Sequence, residues 1–233
     1  MKKLITVLLT ATLLIACSDY AAGTLDNANK AYDSGKYAQA IKLFKPLALK
    51  GDASAQDHLG FMYVKGEGVV QDYVEAIKWY KLAAAQGNTR AQNNLGAMYH
   101  DGKGVVQDYV EAIKWYKLAA AQGGTIAQYN LGDIYNKGKG VAQDYVEAVK
   151  WYKLAATQGY TSAQFNLGTM YYKGQGVAQE YVEAYMWLNL AAITGDKDAV
   201  EYRDLVASRM TQQQLAQAQK LAKKCLARNY KGC

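Results

Sequence analysis

Proline is nearly missing from this chain. Its 233 residues include one, Pro46, so only one segment carries a built-in helix break. Cysteine is almost as rare: Cys17, Cys225 and Cys233 are the whole set, and the stretch between 18 and 224 has none. Histidine is limited to His58 and His100, 42 residues apart, and each reads as a lone surface side chain. Cys225 and Cys233 have no histidine or third cysteine beside them, which argues against a metal centre. No G-x-S-x-G, H-E-x-x-H, S-x-x-K or phosphate-loop pattern occurs, so no nucleophile–base pair or nucleotide cradle is legible. A membrane-spanning run is missing too. Leu4–Ile15 is apolar over 12 residues, against about 20 for a spanning helix. No catalytic residues, metal or cofactor are expected.

The two ends carry most of what the absences leave. Lys2 and Lys3 followed by the short apolar run fit a secretory leader over 1–16. The run closes on Leu14-Ile15-Ala16-Cys17, which resembles the lipobox of bacterial lipoproteins. That resemblance implies acylation of Cys17, a short lipidated tether over 17–24 and attachment at the bacterial cell envelope. Ser18 stands where an inner-membrane retention Asp would be, and by resemblance to the enterobacterial sorting pattern this leans toward the outer membrane. Periplasmic and surface faces both stay open. Export would favour a bridge between Cys225 and Cys233, eight residues apart, over two free thiols on a frayed tail. Removing Lys2 and Lys3 turns the formal +7 into 25 basic against 20 acidic residues, a net of +5. The basic groups look spread through the chain beside Glu75 or Glu111, a solvated face rather than a nucleic-acid arm.

What the chain does have is repetition. Trp79, Trp115, Trp151 and Trp187 are spaced by 36 residues, and Gly60, Gly96, Gly132 and Gly168 keep the same register. A fixed period of this size means stacked units, each unable to bury its own core. The unit 89–124 predicts a helix A opening on a Thr89/Gln92 capping box, with Ala91, Leu95, Met98 and Tyr99 on one side. Gly102 and Gly104 break it. Asp108 and Glu111 suit the first turn of helix B, and Gly123 ends it. Gly96, inside helix A, points to close helix approach. The full units run 53–88, 89–124, 125–160 and 161–196. A degenerate helix pair over 25–52 precedes them, turning at Gly35, with Pro46 expected to kink or interrupt its second helix. Two capping helices over 197–233 follow, the second opened by Thr211.

The pattern Ala91, Gln92, Leu95, Gly96, Tyr99, Gly102, Gly104, Val105, Asp108, Tyr109, Glu111, Ala112, Trp115, Tyr116, Ala119, Ala120 and Gly123 resembles the Sel1-like repeat, a tetratricopeptide-like family. The fold implied is all-α, a right-handed α-solenoid of helix-turn-helix repeats. The resemblance also implies a scaffold or adaptor for a protein or peptide; a monomer is expected, and export argues against nucleic acid as the partner. Some cysteine-rich relatives are described as β-lactamases, but no repeat here holds a cysteine, so that activity has no residues to rest on.

The repeats differ from one another along one face of helix A. The differing positions are Ser54, Asp57, Phe61 and Val64, then Arg90, Asn93, Ala97 and His100, then Ile126, Tyr129, Asp133 and Asn136, then Ser162, Phe165, Thr169 and Tyr172. Related solenoids line their concave side with helix A, so this stripe is the candidate binding surface; the alternative is solvent-facing drift. A second reading gives Tyr129, Phe165 and Tyr172 to glycan or peptidoglycan stacking.

Overall fold

A computed structural model describes residues 25–233. The expected leader, Cys17 and the tether lie outside the described residues. Among the described residues there is no strand. Helix α1 covers 25–33. It is followed by α2 (Tyr37–Leu49), α3 (Ala53–Lys65), α4 (Tyr73–Ala85), α5 (Thr89–Asp101) and α6 (Tyr109–Ala121). Then come α7 (Thr125–Lys137), α8 (Tyr145–Ala156), α9 (Thr161–Lys173), α10 (Tyr181–Ala192), α11 (Lys197–Ala207) and α12 (Gln212–Ala227). The chain divides into two compact units, the first ending at Gln107 and the second running from Asp108 to Cys233. Within each, consecutive helices pack in pairs: α2 on α3, α3 on α4 and α4 on α5 in the first; α6 through α10 in series, then α11 and α12 on α10, in the second.

Local chemistry starts and stops these helices as the repeat predicts, with one substitution of roles. Asp72, Asp108 and Asp144 cap their B helices by accepting from the backbone N–H of Glu75, Glu111 and Glu147 at 2.9, 3.0 and 2.9 Å. The capping box expected at Thr89 and Gln92 does not form. Asn88 is the cap, accepting from Ala91 at 2.9 Å. Gln92 is drawn inward instead, donating its buried amide to the carbonyl of Ala84 at 3.1 Å. Gln56, Gln128 and Gln164 do the same toward Ala48, Ala120 and Ala156 at 2.9, 3.3 and 3.2 Å. Each staple satisfies an end-of-helix carbonyl of the preceding repeat, so a glutamine that reads as a cap is an inter-repeat tie. At the other end of helix A, Gln71, Gln107, Gln143 and Gln179 donate to the carbonyls of Val64, His100, Asn136 and Tyr172 at 2.7, 2.7, 2.7 and 2.6 Å.

Two glycines of the third repeat show why the period tolerates little else. A Cβ on Gly132 would lie 2.6 Å from Cδ1 of Tyr152, so α7 and α8 touch there through backbone and ring. Gly140 sits in the turn at φ 71°, and a Cβ on it would strike Tyr109 of the preceding repeat. Pro46 behaves differently from expectation. Helix α2 is not interrupted there but runs on to Leu49, with the proline on its exposed side and no N–H to offer the Lys42 carbonyl.

Candidate functional site

The helix-A stripe separates into three environments. In the first unit, Asp57 is 1% exposed and engaged by Arg90, whose Nε donates to it at 2.7 Å. The pair ties α3 to α5; Asp57 is closed off by it, while the Arg90 side chain stays 65% exposed. Phe61 is half-buried, edge-on to Tyr32 at 6.5 Å between ring centroids, with the Lys65 ammonium 5.6 Å from its ring. Val64 and Asn93 are half-buried. His100 shares a hydrogen bond with Asp101 at 2.8 Å, and Lys103 donates to the same carboxylate at 2.9 Å. Burial raises the Asp101 pKa, but the bonds from His100 and Lys103 outweigh it and leave the group below its ordinary value. His58 shares a hydrogen bond with the carbonyl of Ser54 at 2.8 Å and stacks on Phe44 at 4.7 Å.

In the second unit, α7 and α9 part company. On α7, Ile126 is 51% exposed. Tyr129 is half-buried against Tyr152 and Tyr160, with centroids 5.8 and 5.0 Å apart, and burial raises its phenol pKa. Asp133 pairs with Lys137 at 2.7 Å, and Asn136 is half-buried. On α9, the same positions serve the cap. Phe165 meets Tyr202 of α11 edge-on at 5.5 Å and packs on the clusters that hold Ala192, Ala199 and Val206. Thr169 spends its hydroxyl on the carbonyl of Phe165 at 2.9 Å. Tyr172 lies 6.1 Å from Tyr181 and 5.8 Å from the guanidinium of Arg209. The stripe is thus closed at Asp57, which is buried under its ion pair with Arg90, while Phe165 and Tyr172 are half-buried with part of their surface against the cap and Thr169 is half-buried with its hydroxyl bonded to its own helix.

The B helices carry a second difference between repeats. Lys78, Lys114 and Lys150 reach back to Glu75, Glu111 and Glu147 at 2.8, 2.8 and 3.0 Å. The buried indole nitrogens of Trp79, Trp115 and Trp151 have no hydrogen-bond partner among the described residues. In the fourth repeat Met186 replaces the lysine, and Glu183 accepts from Trp187 instead. Burial raises the Glu183 pKa against the opposing pull of Lys153 and that hydrogen bond.

The C-terminal end holds two features that the sequence reading named and one that it missed. Thr211 caps α12 in a reciprocal box with Gln214. Cys225, buried, and Cys233 are placed as a disulfide pair with Cα atoms 5.4 Å apart. Between them Asn229 and Tyr230 take left-handed backbone, at φ 54° and 65°. Basic residues also cluster here rather than spreading evenly, a pattern visible had acidic residues been counted segment by segment. Among the described residues, no group of three or more His, Cys, Asp or Glu could hold a metal ion.

The comparisons with known proteins agree with this architecture. The family described as Sel1 repeat matches 53–88, 89–124, 125–160 and 161–196. A protective antigen of uropathogenic Escherichia coli that displays an SLR fold is 33% identical with a TM-score of 0.80, and the match covers 92% of this chain and 48% of that one. The chain therefore spans about half the length of that antigen. A Sel1 repeat protein from Oxalobacter formigenes is 32% identical over 84% of each chain, with a TM-score of 0.74. A Sel1 repeat protein from Klebsiella pneumoniae, 23% identical with a TM-score of 0.53 over 80% of this chain and 93% of that one, shares the fold. A search of the curated proteins finds no match.

Proposed function

This chain belongs to the Sel1 repeat family, and on that premise we propose that it is a protein- or peptide-binding scaffold held at the bacterial cell envelope. Sel1-repeat solenoids are scaffolds, and proteins built from them generally bind protein partners. No catalytic role is assigned to any residue. The observation that carries the binding surface is the α7 face: Ile126, Tyr129, Asp133 and Asn136 vary between repeats, yet the groups that pack on Phe165 and Tyr172 do not pack on them. An exposed aliphatic, an aromatic backed by two further tyrosines and short polar groups suit a peptide backbone with one apolar anchor. In the first unit Phe61, Val64, Asn93 and His100 extend the same reading.

Envelope attachment is part of the proposal. Among the described residues no helix is long and apolar enough to cross a membrane. Attachment through acylated Cys17, with outer-membrane placement, rests on the lipobox-like Leu14-Ile15-Ala16-Cys17. The Cys225–Cys233 bridge forms in the same exported protein, and the scaffold acts as a monomer. The glycan reading needed Tyr129, Phe165 and Tyr172 as free stacking surfaces; two of the three are engaged with the cap, so it is not carried further.

A cross-linked pull-down from envelope extract tests the surface. Wild-type protein should recover a partner that the Ile126→Ser/Asn136→Ala variant loses, with helical circular dichroism and Tm unchanged. Identical recovery by both proteins removes the α7 face from consideration.

A further inference from the structure

The outer face of α12 gathers cations without acids. From 205 to 233 the chain has Arg209, Lys220, Lys223, Lys224, Arg228 and Lys231 and not one Asp or Glu. The repeats are built otherwise, with Lys78, Lys114 and Lys150 each held by a glutamate three residues back. Helix α12 buries Ala218, Ala222 and Cys225. Lys220, Lys223 and Lys224 fall outside that buried stripe and are exposed, as are Arg228 and Lys231 beyond it. Among the described residues none of these five makes an ion pair. Uncompensated like charges at this density repel one another and cost stability unless something negative meets them.

The cluster is also held in place. Cys225 lies beneath the face, and its pairing with Cys233 turns the chain back through Asn229 and Tyr230 in left-handed backbone. The Tyr230 ring rests against Gly159 at the end of α8, where a Cβ would be 2.8 Å from its Cε2. Arg228 and Lys231 are therefore presented beside the helix rather than on a loose tail.

We propose that this face docks on an anionic phospholipid surface. Four of the five cations are lysines, compact hydrated point charges, where recognition of one defined carboxylate or phosphate favours the arginine fork. Among their exposed neighbours Gln213, Ala216, Gln217, Gln219 and Ala227 are small or polar, and Leu226 is the one large apolar side chain. A specific protein interface is centred on aromatic or arginine anchors filling pockets, and this face presents no aromatic anchor among its lysines. A layer of headgroups asks for charge without fixed geometry. Each lysine or arginine adds attraction that decays within about 8 Å at physiological salt. The docking does not depend on the α7 reading or on acylation of Cys17.

The test uses the full-length chain with Cys17→Ser, which cannot be acylated, sedimented with vesicles of phosphatidylglycerol and phosphatidylcholine or of phosphatidylcholine alone. The parent should partition onto the anionic vesicles and be released by salt. K220Q/K223Q/K224Q/R228Q in the same background should bind them at least about 100-fold more weakly, on the attraction each lost charge supplies. K220R/K223R/K224R should retain binding, separating charge from any loss of fold, which circular dichroism checks directly. Equal binding by parent and glutamine variant, or no binding by the folded parent, overturns the proposal. Binding of poly-glutamate by a parent that ignores anionic vesicles also overturns it, in favour of an acidic polypeptide.

Discussion

The third and fourth repeats use the same framework and put its variable positions to different uses. In the third, Tyr129 rests on neighbouring tyrosines and Ile126 stays exposed. In the fourth, Phe165, at the position of Tyr129, and Tyr172, at that of Asn136, are packed by α11 and by residues that follow it, while Ser162, at the position of Ile126, stays exposed. Their B helices differ as well. Tyr152 fills the space beside Gly132, while Leu188 beside Gly168 is smaller and lets the backbone of α10 come close, with Ala184 O 3.0 Å from where a Cβ would sit. Lys150 neutralises Glu147, whereas Met186 leaves Glu183 to the indole of Trp187. A repeat at the end of a series must trade solvent-facing chemistry for groups that a cap can cover. Half-buried residues on one face therefore rest on different partners, neighbouring tyrosines in the third repeat and the terminal helices in the fourth.

The largest effect expected from breaking this comparison is at Phe165. Phe165→Ala should destabilise the second unit by about 3 kcal/mol and raise hydrogen exchange across α11, since it empties a site between packed helices. Ile126→Ala, at an exposed position of the third repeat, should stay within about 0.5 kcal/mol. Chemical denaturation of both variants measures the contrast, and similar losses would abolish the distinction between covered and open faces.

The glycines sharpen it at intermediate size. Gly132→Ala and Gly168→Ala should each cost about 1–3 kcal/mol despite alanine's better helix propensity, because a neighbour must move. Gly168→Ala should cost more, since backbone atoms of α10 stand in the way where Gly132 meets only a side chain. A gain of stability from either substitution would contradict the close approach.

The smallest effect concerns Glu183. Its pKa is raised, first by burial, so the folded chain holds that proton more tightly than the unfolded chain does. Stability then falls as pH rises through the carboxylate range. Glu183→Gln should raise Tm at pH 7 by a degree or two at most, of order 0.5 kcal/mol or less, and the gain should fade below about pH 4. Glu147→Gln, which breaks an exposed pair with Lys150, should give no such gain. Tm measured against pH for both variants decides it; a gain for Glu183→Gln that does not change with pH would sink the burial account.

Much of the framework was legible in the chain. The 36-residue step of the tryptophans, the Asp72, Asp108 and Asp144 caps and the glycine turns follow from local rules of helix starts and stops. Thr211 was legible for the same reason. Gln92 was not. A glutamine three residues after Thr89 satisfies the capping pattern, and only the arrival of the Ala84 carbonyl from the previous repeat shows where its amide goes. Asp57 was misread because an acidic residue on a variable face looks solvated until Arg90 comes over it. The partners of Phe165 and Tyr172 were not legible because α11 and the segment after it have no repeat register from which to infer what they cover.

By itself the sequence determined the period, the helix boundaries, the small-residue contacts and the sign of charge along each segment. All of these depend on residues within a few positions of one another, or on a spacing that recurs. Only the tertiary structure decided which variable residues remain on the surface, which glutamines tie repeats together and how the tail folds back on α12. Those outcomes depend on desolvation and on hydrogen-bond partners 8 to 37 residues away in the chain. Burial by a distant helix changes what a side chain can do without changing anything about its neighbours in sequence.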